Sequence, residues 1–189
     1  RQEAEDGETT KLLLTLRDGE KIEAVLMRYP ANRRKGTGPR ATICVSSQAG
    51  CAVGCPFCAT GELGFGRNLT SGEIQDQVRA ARRILRAEDR NLTNVVFMGM
   101  GEPLQNYDAT MKALRMLNQK EGFDMHPKRV TLSTVGLVPM MDKLAHEAPK
   151  DHDLRMDWEF DGVEFDEESK LRDETRKIME MPDLAIQAT

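Results

Sequence analysis

Four thiols, Cys44, Cys51, Cys55 and Cys58, make up the whole cysteine content of the chain, and three of them fall within the stretch AGCAVGCPFCATG. Thiolates are ligands for soft metals, and three crowded onto a glycine-bearing loop with the spacing Cys-x3-Cys-x2-Cys read as a ligand set. A structural zinc takes four protein ligands and would have to recruit Cys44, His126, His146 or His152. An iron–sulfur cluster is held by thiolates, and a cluster that receives only three keeps one iron open for another molecule. A third reading makes the cysteines structural or disulfide-bonded. The chain shows no apolar N-terminal segment of the secretory type, so the thiols suit a reducing compartment, with the cytoplasm the expected location.

The elements that must position this loop can be read from the pattern around it. At 189 residues, with 39% hydrophobic and 31% charged side chains, the chain can bury a core. It has no apolar run of about 18 residues, so no membrane contact is expected. KLLLTLRDGEKIEAVLMRY alternates apolar and polar residues around Asp18-Gly19, a turn pair that predicts a β-hairpin over 11–17 and 21–28. PANRRKGTGPR follows as a linker, either solvated or touching a nucleic-acid backbone. From Ala41 the rhythm changes. ATICVSS, TNVVFMG and KRVTLST read as strands, with helices over about 70–87 and 108–118 and a short one in PMMDKLAHE. Thr70 and Glu73 form a capping box for the first of these.

Strand–helix alternation implies parallel strands with right-handed crossovers, and sites in such folds gather at the carboxyl ends of the strands. The cysteine loop, GMGEP and Ser133-Thr134 all follow strands and should share one rim. Three further features are weighed against plainer readings. Arg79, Arg82, Arg83 and Arg86 recur at helical spacing, as a solvated basic face or an RNA contact. Met98, Met100, Met111 and Met116 read as core filler. His126, His146 and His152 show no ligand spacing of their own.

CVSSQAGCAVGCPFCATGELGFGRNLTSGEI, NVVFMGMGEPLQNYD and RVTLSTVGLVP together resemble the radical S-adenosylmethionine superfamily. Within it they resemble the adenine carbon-2 methyltransferases of large-subunit ribosomal RNA and transfer RNA, over roughly residues 8–148. The resemblance implies a 4Fe–4S cluster on Cys51, Cys55 and Cys58, whose open iron chelates S-adenosylmethionine. It implies that Gly101 and Glu102 meet the ammonium of the cofactor and that Ser133 is another cofactor contact. Cys44 would help resolve a protein–RNA adduct, as base and then as disulfide partner. A reductant such as flavodoxin or ferredoxin would supply the electron. A relative acting at adenine carbon-8 shares most of these motifs.

The implied fold is a partial radical-SAM (β/α) barrel of about three units. The expected organisation is a hairpin and basic linker over 1–40, the partial core over 41–148 and an acidic, partly helical tail over 149–189. The charge supports that last boundary: residues 1–149 carry 21 basic and 18 acidic side chains, residues 150–189 carry 6 and 13. Glu168–Arg172 and Asp173–Lys177 are helix-supporting pairs near 166–180. The family's methyl-carrying cysteine, its Ser-Leu-His strand and the rest of its barrel have no counterpart here. The expectation is therefore a first half of a methyltransferase core, with a catalytically incomplete iron–sulfur or zinc protein as the alternative.

Overall fold

The computed structural model describes residues 2–147 apart from 5, 6, 32, 33 and 35. The acidic tail, its expected helix and His152 lie outside the described residues. The chain divides into two units, Arg1–Leu137 and Val138–Thr189.

In the first unit the alternating N-terminal sequence forms β2 (Thr9–Thr15) and β3 (Lys21–Tyr29), with β1 (Gln2–Glu3) added along β2. Leu14 opposes Ile22 and the chain reverses at Asp18-Gly19, where Gly19 takes φ +91°. That conformation is inexpensive only for glycine. β3 then pairs antiparallel with β4 (Arg40–Cys44), so the hairpin and the segment after the linker share one sheet. From β4 onward pairing is parallel, to β7 (Asn94–Phe97) and then β8 (Val130–Leu132). The order is β1-β2-β3-β4-β7-β8. Between the parallel strands run α2 (Ser71–Ala87) and α3 (Tyr107–Asn118), as the alternation requires. The second unit contributes one described element, α4 (Val138–Glu147), with a Lys143–Glu147 ion pair along it.

Ile22, Leu26, Ile43, Val95 and Phe97 on the sheet join Ile74, Val78, Ala81 and Leu85 on α2 and Ala113 and Leu117 on α3 in one buried cluster. The α2 residues recur with the 3.6-residue helical period, which puts them on one face. Each fully buried aliphatic side chain contributes roughly 1.5–3 kcal/mol by leaving water. Met100 and Met111 are buried as core filler, but Met98 is 56% exposed at the end of β7. The filler reading fails there because a strand's carboxyl end opens onto the rim rather than the core.

The amino end of α2 is held by the capping box: Thr70 accepts from the Glu73 amide at 3.2 Å and the Glu73 carboxylate accepts from the Thr70 amide at 2.8 Å. Arg67 donates to both Glu73 oxygens at 3.0 and 2.8 Å and also reaches Asp18 at the hairpin turn. The Arg67 guanidinium, aided by Thr70, holds the Glu73 carboxyl below the usual carboxylate range. A depressed acid stabilises the fold above its ordinary pKa and loses that contribution as pH falls through the folded value. Glu73→Gln is thus expected to cost about 1 kcal/mol at pH 7. Its deficit relative to the parent should shrink in urea melts run below about pH 4.

Candidate active site

The cysteine loop is an excursion between two short strands that sequence pattern alone does not reveal. β5 (Gln48–Gly50) pairs antiparallel with β6 (Phe65–Asn68), and the Cys51 amide donates to the Gly64 carbonyl at 2.9 Å, closing the loop at its neck. Gly50 sits at φ +76°, and a Cβ there would fall 1.9 Å from the Gly64 oxygen, so only glycine fits the neck. Inside the loop the Cys58 amide donates to the Cys55 carbonyl at 3.0 Å, and Cys58 precedes a single helical turn, α1 (Ala59–Glu62).

All four cysteines are free thiols; Cys51, Cys55 and Cys58 are half-buried and Cys44 is buried on β4. The amides of Gly61 and then Thr60 draw the Cys58 thiol below its ordinary pKa, because they stabilise the thiolate. Burial pushes Cys44 the other way. Among the described residues, no three His, Cys, Asp or Glu side chains stand close enough together to hold a metal ion. The loop therefore carries the donors without gathering them. Phe57, 90% exposed, and Leu63 and Phe65 give the loop an apolar outer surface.

The expected convergence at the strand ends is present, and buried amides and hydroxyls build it. After β4, the Ser47 amide donates to the Met100 carbonyl at 2.8 Å and the Ser46 hydroxyl accepts from the Met100 amide at 2.9 Å, zipping the β4 exit to GMGEP. Gln77, on the core face of α2, exchanges two hydrogen bonds with the Ser46 backbone at 2.8 and 2.9 Å. Asn106 donates from its side chain to the carbonyls of Ser47 and Leu69. Gln48 bridges Asn68 on β6 and the Glu102 amide. Sequence reasoning missed all of these. The available signal was a run of polar residues (Ser46, Ser47, Gln48) at the end of a buried strand, and a glutamine interrupting an apolar helix face.

Gly101 and Glu102 lie in the turn that follows β7. Gly101 takes φ +93°, with Gln48 packed where its Cβ would be. The Glu102 side chain is 2% exposed. One carboxylate oxygen accepts from the Leu104 amide at 2.8 Å and the Thr134 hydroxyl at 2.7 Å; the other accepts from the Val135 amide at 2.8 Å. Glu102 thus ties the β7 exit to the β8 exit. Ser133 is exposed and joins the β8 end to Phe97 through its amide, while its neighbour Thr134 turns toward Glu102.

These features fit what the chain is similar to. The sequence profile described as the Radical SAM superfamily matches residues 45–158. A protein of Corynebacterium diphtheriae named probable dual-specificity RNA methyltransferase RlmN is 54% identical over 147 residues, 77% of this chain and 38% of that protein. Dual-specificity RNA methyltransferase RlmN 1 of Myxococcus xanthus is 56% identical over 142 residues, 75% of this chain and 37% of its own length. The crystal structure of a radical SAM methyltransferase from Sphaerobacter thermophilus superposes with a TM-score of 0.71 at 53% identity, covering 78% of this chain and 41% of that one. The chain spans less than half the length of these relatives. A profile match across most of the chain and a shared fold at this identity carry one conclusion: the chain belongs to the radical SAM superfamily.

Proposed function

We propose that the chain is the first part of the catalytic core of a radical S-adenosylmethionine RNA methyltransferase acting at carbon-2 of adenine in 23S ribosomal RNA and transfer RNA. Its sheet, in this reading, is about three units of a (β/α) barrel. The observation that carries the reading is the neck-closed cysteine loop opening beside the GMGEP turn, in a chain that over about three quarters of its length is more than half identical to proteins named dual-specificity RNA methyltransferases.

The donor chemistry fits a 4Fe–4S cluster. Three free, half-buried thiols on one loop suit the cluster with one open iron that the family implies, whereas a four-coordinate zinc would need a further ligand. Cys51, Cys55 and Cys58 would hold it, and when bound it supplies the electron that cleaves the sulfonium of S-adenosylmethionine. The protein's own contribution is placement. The β5–β6 neck fixes the loop, Gly101 lets Gln48 pack against the GMGEP turn, buried Glu102 would set a negative charge behind the cofactor's ammonium, and Ser133 offers an accessible hydroxyl at the same rim. Buried Cys44 is held as a thiol at neutral pH and would serve as base only when a neighbouring group takes its proton; the disulfide that the family implies for it would need a second cysteine besides the four of this sequence. A flavodoxin- or ferredoxin-type reductant would deliver the electron.

The test is anaerobic loading of the purified chain with iron and sulfide, followed by electron paramagnetic resonance. Adding S-adenosylmethionine is expected to shift the spectrum, and dithionite to yield 5′-deoxyadenosine. Cys55→Ala should lose at least 100-fold of that yield. Stable zinc binding with no iron signal that responds to the cofactor would overturn the proposal. Methylated-base analysis of RNA from cells expressing the full-length relative separates carbon-2 from carbon-8.

A further inference from the structure

The exposed arginines of α2 line an open groove. A cavity of about 410 Å³ lies between Arg79, Arg82, Arg83 and Arg86 on the helix and the turn after α3, which contributes Glu121 and Phe123. Phe123 is buried and organises the near wall: the Arg79 and Arg82 guanidinium groups lie 5.6 and 5.2 Å from its ring centre. Arg82 also donates to the Phe123 carbonyl at 3.2 Å, and Arg79 is paired with Asp76 at 2.6 Å. The side chains of Arg83 and Arg86, by contrast, are exposed and make no hydrogen bond or ion pair among the described residues. Two fixed guanidinium groups thus stand beside two uncommitted ones, one helical turn apart.

We propose that this groove is a second RNA contact, binding the phosphodiester backbone at a distance from the strand-end rim. The inference rests on the reading of the chain as an RNA-modifying core. Arg83 lies 13 residues beyond the helix cap at Thr70, so the groove is on the order of 20 Å down α2 from the rim, within the span of a folded RNA. Guanidinium forks match phosphate oxygens in pairs, and planar arginines held on an aromatic ring are already ordered for that contact. Glu121 selects among polyanions. A carboxylate within an otherwise basic groove repels acidic peptide side chains, whereas a ribose 2′-hydroxyl can donate to it while the phosphates meet the arginines. The packing of Phe123 accounts for Arg79 and Arg82, but nothing in the described fold places a demand for Arg83 and Arg86 beside them.

The experiment compares the 189-residue chain with Arg83→Ala/Arg86→Ala for binding to a transfer RNA transcript across a salt series, with thermal melts confirming an unchanged fold. The double substitution is expected to weaken binding about ten-fold or more and to lower the slope of log K against log salt by about 1 to 2. Polyglutamate should compete poorly with the RNA. Unchanged affinity and slope, no RNA binding by the parent chain, or displacement by polyglutamate as readily as by RNA would each overturn the proposal. The 5′-deoxyadenosine yield reads the other question. Lost RNA binding with that yield intact isolates the groove, and a missing yield with RNA binding intact strikes the rim chemistry instead.

Discussion

Gly101→Ala is expected to lower unfolding stability by about 2–5 kcal/mol, a large share of the total for a domain of this size. Two effects add. The residue holds φ +93°, which costs a residue with a Cβ roughly 1–2 kcal/mol. The new methyl would also lie 2.4 Å from Gln48 Cβ and 2.7 Å from the Gln48 amide nitrogen, and forcing atoms into a packed site typically costs about 1–3 kcal/mol. Gln48 cannot simply swing away, because its side-chain amide holds Asn68 and its oxygen holds the Glu102 amide. Gly136→Ala separates the two effects: that residue has nearly the same φ, +94°, with nothing within 4 Å of the added carbon. Urea midpoints for both variants give the dihedral cost from Gly136 and the contact from the difference. Equal losses would mean that the Gln48 packing contributes nothing.

The same loop shows where residue patterns carry information about the fold and where they stop. The capping box at Thr70–Glu73 and the Asp18–Gly19 turn were legible because each is a local motif whose hydrogen bonds close within a few residues. The α2 stripe was legible because helix period and core face coincide. The β5–β6 neck was not. Its strands are three and four residues long, contain Gly50 and Gly66, and pair across the cysteine loop, so no alternation can emerge. Gln77, Gln48 and Asn106 were invisible for a related reason. A buried polar side chain satisfied by distant backbone has the same appearance in sequence as an exposed one. The cysteine spacing marked a ligand-bearing loop and left the metal open, and nothing in it revealed that Arg67 bridges the neck strand, the hairpin turn and the α2 cap.

Ser133 and Thr134 illustrate how far one position can matter. Successive side chains leaving a strand face opposite sides, so of two adjacent hydroxyls only one can meet a given partner. Thr134 donates to Glu102 and Ser133 stays open to solvent at the rim. A hydroxyl committed to a carboxylate is a poor candidate for a bound molecule, and an uncommitted one beside it remains available.

Glu102→Gln is expected to give the other large effect, on cofactor affinity and stability together. The carboxylate accepts from three donors, the Leu104 and Val135 amides and the Thr134 hydroxyl. A glutamine side chain offers one oxygen, so its amide must face a donor at the second position, and a buried donor left unsatisfied costs about 1–3 kcal/mol. If the same carboxylate meets the cofactor's ammonium, losing the charge removes a charge-assisted bond worth about 1.5–3 kcal/mol, or roughly 10- to 150-fold in affinity. Thr134→Val separates staple from charge: it deletes one hydrogen bond to Glu102 but leaves the carboxylate intact. The expected pattern is comparable destabilisation in both variants, with S-adenosylmethionine affinity on the iron-loaded chain falling steeply only in Glu102→Gln. Equal affinity in the two variants would make Glu102 purely a tie between the β7 and β8 exits, and the ammonium contact would have to be sought among the backbone carbonyls of the same turn.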